Sequence, residues 1–438
     1  MKRSVYLLML VLTAVFYFGC SDDDSPSKPK PTYLTVHVYG KTPTDTTAIF
    51  NSNVVVYNAE TNQSVARELT DLNGECTFEI ASGNYYLEVT AQEYDPSPAP
   101  NVTPVPFFVT AHINNVQNRY LNENVIPNSG YIEGTVSPVV NNVLVIAENT
   151  LNSDKKYGGV TGPDGYFVIY NVPFGSYDLD IFKAGYKISG TASAAISNST
   201  PHVNVPITIT GYSGSSLSGN ISFLATTDTS NVDVVLRDPA TKQVIPGMRT
   251  REDGGNYSLD SIPDGEFLAW ASFENDGYVI DPDWIFKNPG SLDLSFPADS
   301  GTVLNFSVTG SIKLLSPTNP ADSIYAYMAD SSTPTFSWEA YPSTKEYFIE
   351  VRDINGNRIW GGFNSDGTVN HGYIDDSVTS VQFDFDGTAS AQLVPGEIYQ
   401  WKLWADKGTA VDSGVEQMIS SSEDLLGIFQ VPEPVPVK

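Results

Sequence analysis

The sequence predicts an all-β protein built from tandem antiparallel β-sandwich domains. Short runs alternate between apolar and polar residues, as strands with one buried face do. Asn-Gly or Asp-Gly pairs, which tolerate the positive φ of tight hairpin turns, separate several of these runs. The chain has 438 residues, more than one hydrophobic core usually serves, so several domains are expected.

Two glycine markers recur along the chain at a nearly constant spacing. The first marks a hairpin turn, with steps of 91 (165 − 74) and 89 (254 − 165), at Gly74, Gly165 and Gly254. The second marks the next turn, with steps of 92 (175 − 83) and 90 (265 − 175), at Gly83, Gly175 and Gly265. Because two independent markers keep the same step, we infer three repeats of about ninety residues.

Two strand-like runs precede the hairpin in every repeat, and no helical period appears. The paired runs are 34–39 with 54–57, 131–136 with 143–147, and 217–223 with 232–236. Each repeat is therefore predicted to be a small antiparallel sandwich. Predicted boundaries are 33–123, 130–209 and 211–309, the third being the most divergent.

The second repeat resembles a known family. It reads T-x-x-D-G-x-F, then φ-P-x-G-x-Y, and the strand after that ends in A-G-Y. The matching residues are Gly165, Tyr166, Phe167, Pro173, Gly175, Tyr177, Ala184, Gly185 and Tyr186. This pattern resembles the carboxypeptidase regulatory-like domain, a transthyretin-like sandwich grouped with starch-binding-like modules. The resemblance implies a fold and no activity, because carboxypeptidases with this module carry their catalysis in another domain.

Residues 310–431 follow a different pattern. A strand presents Trp338, a second alternates over 347–353, and Leu-Val-Pro-Gly-Glu-Ile-Tyr-Gln-Trp ends at Trp401. This segment resembles the tyrosine corner of fibronectin type III and related immunoglobulin-like sandwiches. The resemblance implies that the Tyr399 hydroxyl bonds to an upstream backbone group, with both tryptophans in the core. Residues 364–387 are an insertion, and 432–438 are a tail.

The N-terminus reads as an export signal. A basic head and an apolar run end at Gly19-Cys20, and 15 residues (5–19) are too few for a membrane span, which needs about 20. The end resembles the lipobox of bacterial lipoproteins, which implies cleavage after residue 19 and lipidation of Cys20. Residues 20–32 are then an acidic, Pro-rich tether.

Ser21-Asp22-Asp23-Asp24 resembles the acidic tag that sends Bacteroidetes lipoproteins to the outer face of the outer membrane. An ordinary solvated tether is the alternative. The expected location is the outer membrane, lipid-anchored and exposed at the cell surface.

Charge excludes one class of partner. The formal net charge is −28, and removal of Lys2 and Arg3 with the signal leaves 21 bases (23 − 2) against 51 acids, or −30. Such a chain repels phosphate backbones, so nucleic acid is not a partner. Cys76 has no intramolecular partner once Cys20 is acylated, so we predict a buried structural thiol.

Catalytic chemistry is not indicated. The four histidines (His37, His112, His202 and His371) lack metal spacing, and motifs such as H-E-x-x-H and G-x-S-x-G are absent. Asp375-Asp376 and Asp281-Pro282-Asp283 are candidates for calcium, with solvated turns as the simpler interpretation. We expect no enzyme activity, no cofactor and no bound metal.

Glycan binding is the competing hypothesis. Sandwich modules stack exposed aromatic rings on sugars, and Trp284 and Trp360 lie beside turn residues. A place in the core or at its rim is the alternative for both. The sequence therefore predicts a non-catalytic, membrane-anchored surface lipoprotein that acts in binding, adhesion or spacing. The alternative is a carbohydrate-binding accessory lipoprotein of a polysaccharide-uptake system. An extracellular glycan or another surface protein is the expected partner.

Overall fold

The computed structural model describes most of residues 31–432. The ranges left out are 42–45, 60, 99–103, 105, 224–231, 241–243, 252–254, 273–276, 282–291, 320–326, 354–356, 364–368, 371–372, 410–415 and 424–425. Within the described residues the regular elements are β-strands, so the predicted all-β class is confirmed. From the first and last strands of each group we name residues 33–122 unit 1, 129–211 unit 2, 215–310 unit 3 and 314–430 unit 4.

Unit 1 packs two sheets around one core. Its strands are β1 (Tyr33–Lys41), β2 (Thr46–Ala48), β3 (Asn53–Asn58), β4 (Ser64–Leu69), β5 (Glu75–Glu79), β6 (Gly83–Thr90), β7 (Phe107–Val109) and β8 (Asn114–Asn122). One sheet has the order β2-β1-β5 with β8 on β1, and the other has the order β4-β3-β6-β7. Val36 of the first sheet and Val54 of the second belong to one buried cluster, which defines a sandwich.

Unit 2 repeats this plan. Its strands are β9 (Ser129–Ser137), β10 (Leu144–Asn149), β11 (Asn152–Val160), β12 (Tyr166–Pro173), β13 (Gly175–Phe182), β14 (Tyr186–Ile188), β15 (Ala192–Ile196), β16 (His202–Asn204) and β17 (Ile207–Gly211). The sheets are β12-β9-β17-β14, with β16 also on β9, and β11-β10-β13-β15. Ile132 and Val145 meet in the core between them.

Unit 3 has the same arrangement. Its strands are β18 (Ser215–Phe223), β19 (Asp233–Arg237), β20 (Val244–Arg251), β21 (Asn256–Ile262), β22 (Gly265–Ser272), β23 (Tyr278–Ile280), β24 (Leu292–Phe296), β25 (Thr302–Val303) and β26 (Phe306–Gly310). The sheets are β21-β18-β26-β23, with β25 also on β18, and β20-β19-β22-β24. Leu217 and Val234 share the core.

Each of these units departs from a purely antiparallel design. The first strand pairs in parallel with the last, as β1 with β8, β9 with β16 and β17, and β18 with β25 and β26. Parallel strands run in one direction, so the chain enters a unit at one end and leaves it at the other. The sequence periodicity could not predict this, because alternation is the same in both kinds of ladder.

Unit 4 is a larger sandwich. Its strands are β27 (Leu314–Ser316), β28 (Tyr327–Met328), β29 (Thr335–Trp338), β30 (Glu346–Asp353), β31 (Arg358–Gly361), β32 (Tyr373–Asp375), β33 (Ser380–Gln382), β34 (Ile398–Thr409), β35 (Glu416–Ser421) and β36 (Ile428–Gln430). The sheets are β27-β29-β33 and β28-β36-β34-β30-β31, with β32 on β30 and β35 on β34. Trp338 and Trp401 are 1% and 0% exposed, as predicted. The Tyr399 hydroxyl accepts a hydrogen bond from the Val394 N–H at 2.9 Å, as the tyrosine corner implies.

Candidate functional site

One turn residue occupies the same place in units 1, 2 and 3. Glu93, Gly185 and Gly277 are 92 residues apart at each step (185 − 93 and 277 − 185). Their φ angles are +69°, +78° and +88°, and a tyrosine follows each of them. Positive φ is natural for glycine and costs energy for Glu93, so the surroundings must hold this conformation in unit 1.

The carbonyl of this turn residue binds the outgoing chain. It accepts a backbone N–H from Asn124 at 2.7 Å in unit 1 and from Tyr212 at 2.8 Å in unit 2. In unit 3 the donor is the N–H of Ser311, also at 2.8 Å. The turn therefore fixes the segment that leads from each unit to the next.

The backbone N–H of the same residue crosses to the following unit. Glu93 donates to Oδ1 of Asn171 at 2.6 Å, and Gly185 donates to the carbonyl of Ser261 at 3.0 Å. Gly277 donates to Oε1 of Glu423 in unit 4 at 2.7 Å. Each junction is thus closed by the same donor, while the acceptor changes from an amide to a carbonyl to a carboxylate.

Further polar contacts hold units 1 and 2 together. The Asn171 amide nitrogen donates to the carbonyl of Tyr94 at 2.8 Å, so this side chain both accepts and donates a hydrogen bond across the junction. The Tyr170 hydroxyl donates to the carbonyl of Asn51 at 2.6 Å, and the Ser64 hydroxyl donates to Oδ1 of Asn142 at 2.5 Å. Bonds at several separated points restrict rotation about the junction.

The junction between units 2 and 3 is more apolar. Leu144 and Ile146 of β10 belong to the buried cluster of unit 3, although their strand lies in unit 2. The rings of Phe182 and Phe267 meet edge to face at 5.6 Å between centroids. Such contacts exclude water from the interface and add about 1 kcal/mol per aromatic pair beyond the buried area.

Units 3 and 4 meet around a buried carboxylate. Glu423 is 5% exposed, and its Oε1 also lies 3.3 Å from the Ser311 hydroxyl. The Ile312 N–H donates to the carbonyl of Ser421 at 2.9 Å. Both bonds end on one oxygen of Glu423, so this junction depends on a side chain, as the first junction does on Asn171.

A polar and aromatic cluster lies on the outer face of the unit 2 sheet that contains β9. His202 stacks on Tyr131 with 4.5 Å between ring centroids, and its Nε2 is 2.7 Å from Oε1 of Glu133. The Tyr166 hydroxyl donates to the other carboxylate oxygen, and the guanidinium of Arg67 lies 3.8 Å above the Tyr166 ring. The His202 side chain is 47% exposed, so the cluster is accessible from solvent.

A groove opens beside this cluster, where unit 1 meets the hairpin of β11 and β12. Its volume is about 330 Å³, and its lining includes Arg67, Glu68, Thr77, Glu79 and Asp164. These side chains offer hydrogen-bond donors and acceptors of both charges. The groove has room for a small polar molecule.

The predicted ligand-binding tryptophans have different outcomes. Trp284 lies outside the described residues, as does the predicted lipidation site Cys20. Trp360 is 1% exposed, and its Nε1 donates to Oδ1 of Asp386 at 2.8 Å. Of the two interpretations of Trp360, the place in the core is therefore the one observed. The adjacent glycines place β31 close against β30, so the ring packs into the unit 4 core.

The remaining candidates have ordinary surroundings. Cys76 is buried in β5, and burial, followed by the charges of Glu68, Glu75 and Asp71, raises the pKa of its thiol to about 12. The Asp375 carboxylate accepts bonds from the backbone and hydroxyl of Ser377, as a solvated turn does. Asp283 and His371 lie outside the described residues.

The repeat motifs turn out to be structural. The Thr161 hydroxyl of T-x-x-D-G donates to the carbonyl of Val140 at 2.9 Å, and Thr70 makes the matching bond to Ile49 at 2.7 Å. The Tyr177 hydroxyl of φ-P-x-G-x-Y donates to the carbonyl of Pro173 at 2.7 Å. Sequence reasoning found Gly185 as part of A-G-Y but missed its counterparts Glu93 and Gly277, although the constant step of 92 residues was a visible signal.

The described residues offer neither a metal site nor a membrane-spanning helix. Within the ranges given above, no group of three His, Cys, Asp or Glu side chains could hold a metal ion. The same part of the chain contains no helix long and apolar enough to cross a membrane.

No family model matches the chain, and no curated protein matches it. Among solved structures, the Bacillus anthracis TIE protein matches at 14% identity and a TM-score of 0.17, over 64% of this chain and 51% of its own. The major pilin subunit BcpA of Bacillus cereus matches at 12% and 0.18, over 64% and 99%. The shaft pilin SpaA of Lactobacillus rhamnosus GG matches at 10% and 0.21, over 64% and 98%. The chain spans about half the length of the first of these proteins. TM-scores this low establish no common fold.

Proposed function

We propose that the protein is a non-catalytic surface lipoprotein whose units act as a stiff spacer for binding or adhesion. The observation that carries this proposal is the turn residue shared by Glu93, Gly185 and Gly277, whose N–H bonds to the next unit at all three junctions. A flexible string of domains has no need of such bonds, because domains joined by linkers move independently by default.

The direction of the strands supports a spacer. Because the first and last strands of units 1, 2 and 3 are parallel, each unit receives the chain at one end and passes it on at the other. Successive units therefore add length between the N-terminus and unit 4. Unit 4, joined through Glu423, would present the surface farthest from the anchor.

The anchor itself rests on the sequence. Lipidation of Cys20 would attach the chain to the outer membrane, and the Pro-rich tether that follows would keep unit 1 clear of the headgroups. Two or more acyl chains give stable attachment, whereas one is marginal.

Replacement of Cys20 tests the anchor. The Cys20→Ala protein should leave the membrane fraction of the native cells and appear as a folded soluble species. The matched control is Cys76→Ala, which removes the other cysteine and should stay in the membrane fraction. A Cys20→Ala protein that remained membrane-bound would contradict the proposal.

Protease added to intact cells tests exposure, because a protein that survives while a known surface protein is cleaved does not face outward.

A saccharide ligand is the second candidate, and the unit 2 cluster favours it. The stacked rings of Tyr131 and His202 lie beside the Glu133 carboxylate, and such sets of aromatic and acidic groups hold sugars. Retention on a polysaccharide affinity gel should be lost in Tyr131→Ala and His202→Ala and kept in Leu72→Ala, an exposed position on another unit. No retention across a broad glycan panel would remove this candidate.

A further inference from the structure

One position close to the hairpin motif is filled differently in units 1, 2 and 3. Two residues before the threonine of the motif, the chain carries Glu68, Gly159 and Met248 in turn. A Cβ at residue 159 would lie 2.5 Å from the carbonyl oxygen of Val168, so only glycine lets β11 approach β12 this closely. The Met248 side chain instead is buried in the core of unit 3. Glu68 has a Cβ and is exposed, so unit 1 closes this side of its sandwich in neither way.

The groove of unit 1 lies at this position, between β4 and β5. The two strands belong to different sheets, since β4 pairs with β3 and β5 pairs with β1. Glu68 lies opposite the core residue Val54, so both side chains leave their sheet on its inner face. Burial, followed by the charge of Glu68, raises the pKa of the Cys76 thiol in β5 to about 12. The Glu68 carboxylate is therefore directed from β4 across the groove toward β5.

The edge of β5 beside the groove has backbone groups for another strand. Val38 of β1 donates to the carbonyl of Gly74, so the even-numbered residues of the β5 segment bond to β1. The odd-numbered residues direct their N–H and C=O groups to the opposite side. Among the described strands, β1 is the one partner of β5.

Two residues of this edge, Thr77 and Glu79, face the groove. The third odd-numbered residue, Glu75, already bonds through its N–H and its carbonyl to Asp71 in the turn before β5. Thr77 is the counterpart of Val168 (168 − 91), whose carbonyl in unit 2 is covered by β11. The same backbone edge is thus covered in unit 2 and open in unit 1.

The charges around the groove favour a cation. Its lining, as far as the structure describes it, has the acids Glu68, Glu79 and Asp164 and the base Arg67. The Arg67 guanidinium is engaged outside the groove, because it stacks on the Tyr166 ring of unit 2. No described Lys, Arg or His side chain forms an ion pair with Glu68 or Glu79. The net charge of −28 adds to this negative field, which repels acidic ligands and attracts basic ones.

We propose that this groove binds an extended basic segment of a partner protein, which pairs with β5 as an added strand. Main-chain hydrogen bonds to Thr77 and Glu79 hold the segment, as in other cases of strand addition. The segment's residue opposite Phe78 then directs its side chain to the inner face, as Phe78 does. Glu68 lies on that side, so a lysine or arginine at this place forms an ion pair with its carboxylate.

A short synthetic peptide tests the recognition of charge. The probe is acetyl-Thr-Thr-Lys-Thr-Thr-amide, in which threonine supplies β-propensity without charge. Titration calorimetry with the detergent-solubilised full chain should give a dissociation constant below about 1 mM. The same peptide with glutamate in place of lysine should bind at least about tenfold more weakly, because Glu68 repels it. No binding of the lysine peptide, or equal binding of the two peptides, would overturn the proposal.

Two proline peptides test the strand addition on the same parent chain. Proline on both sides of the lysine removes the N–H groups that face Thr77 and Glu79, so Thr-Pro-Lys-Pro-Thr should lose binding. Proline at both ends leaves those groups in place, so Pro-Thr-Lys-Thr-Pro should bind as the probe does. Hydrogen exchange at the Thr77 and Glu79 amides should slow when the probe is bound. Equal affinity of the two proline peptides would show that no strand is added.

Substitutions of Glu68 locate the site. Glu68→Gln should raise the dissociation constant of the lysine peptide at least about tenfold, because the ion pair is lost. Glu68→Met carries the residue of unit 3 and should abolish binding by filling the groove. Glu148→Gln, the matched control, removes the same charge from β10 of unit 2 and should leave the affinity unchanged. Unchanged circular dichroism would show that the variants are folded. A folded Glu68→Gln chain that bound the lysine peptide as the parent does would refute the site.

Discussion

The N–H of Glu93 donates to Oδ1 of Asn171 at 2.6 Å, across the boundary between units 1 and 2. The side-chain amide of Asn171 also donates to the carbonyl of Tyr94, so one side chain makes two hydrogen bonds to the turn of unit 1. In the next junction the matching acceptor is the main-chain carbonyl of Ser261. The two junctions therefore differ in how far they depend on a side chain.

Substitution by glycine exploits this difference. Asn171 and Ser261 both have positive φ, +59° and +61°, so glycine suits the backbone at each position. Asn171→Gly should lower the free energy of unfolding of the junction by about 1–3 kcal/mol, because its hydrogen bonds are lost. Ser261→Gly keeps the carbonyl and should change it by less than about 0.5 kcal/mol.

Hydrogen exchange reports on both junctions. The amide of Glu93 should exchange faster in Asn171→Gly, whereas that of Gly185 should keep its protection in Ser261→Gly. Mass spectrometry of peptides that cover residues 91–95 and 183–187 measures the exchange of these two amides separately. Equal loss of protection in the two variants would contradict the role given to the Asn171 side chain.

Trp360 should matter for stability and not for ligand contact. Its ring packs against Phe336 and Phe383 in the unit 4 core, so Trp360→Ala should cost about 3–5 kcal/mol. Trp360→Phe keeps most of the packing and should cost less. Denaturant unfolding followed by fluorescence of the remaining tryptophans measures both. A Trp360→Ala protein as stable as the parent would show that the ring is outside the core.

Glu133 should make unit 2 sensitive to acid. Burial raises its pKa, but hydrogen bonds from Tyr166 and His202 outweigh burial, and the net pKa is below the usual value. A carboxyl with a lowered pKa in the folded state stabilises it above the unfolded pKa, about 4.3, and this contribution disappears as pH falls through the folded pKa.

Glu133→Gln removes that dependence. The stability difference between the parent and Glu133→Gln should be largest near pH 6 and shrink as the pH falls to about 3. Urea unfolding at a series of pH values measures the difference. Tyr166→Phe removes one of the hydrogen-bond donors to Glu133. The stabilisation by Glu133 should then disappear at a higher pH. A difference that stayed constant with pH would show that Glu133 has no lowered pKa.

The Cys76 thiol should not react with thiol reagents while the protein is folded. A thiol with a pKa of about 12 has little reactive thiolate at pH 8, and its side chain is buried. In a Cys20→Ser background, where Cys76 is the remaining cysteine, a thiol reagent should label the chain after denaturation and not before. Rapid labelling of the native protein would contradict the burial of β5.

The apolar–polar alternation of the sequence located most of the strands. A strand of a sandwich buries one face, so every second side chain must be apolar. Runs such as 34–39 and 54–57 became β1 and β3, with Val36 and Val54 in one core. For Trp360 the local sequence left both a core place and an exposed site open, because it reports on the turn beside the residue and not on its packing. The surroundings of its ring depend on β33 and the residues after it, more than twenty positions away.

The sequence by itself determined the step of about ninety residues, the hairpins and the buried faces, because these depend on neighbours a few residues apart. Tertiary structure decided the parallel pairing of first and last strands and the partners of Glu93, Gly185 and Gly277. The donor at each junction is a backbone N–H, which every residue except proline carries, and its acceptors are three different residue types. Such a contact leaves no residue pattern of its own, so only the folded chain could identify it.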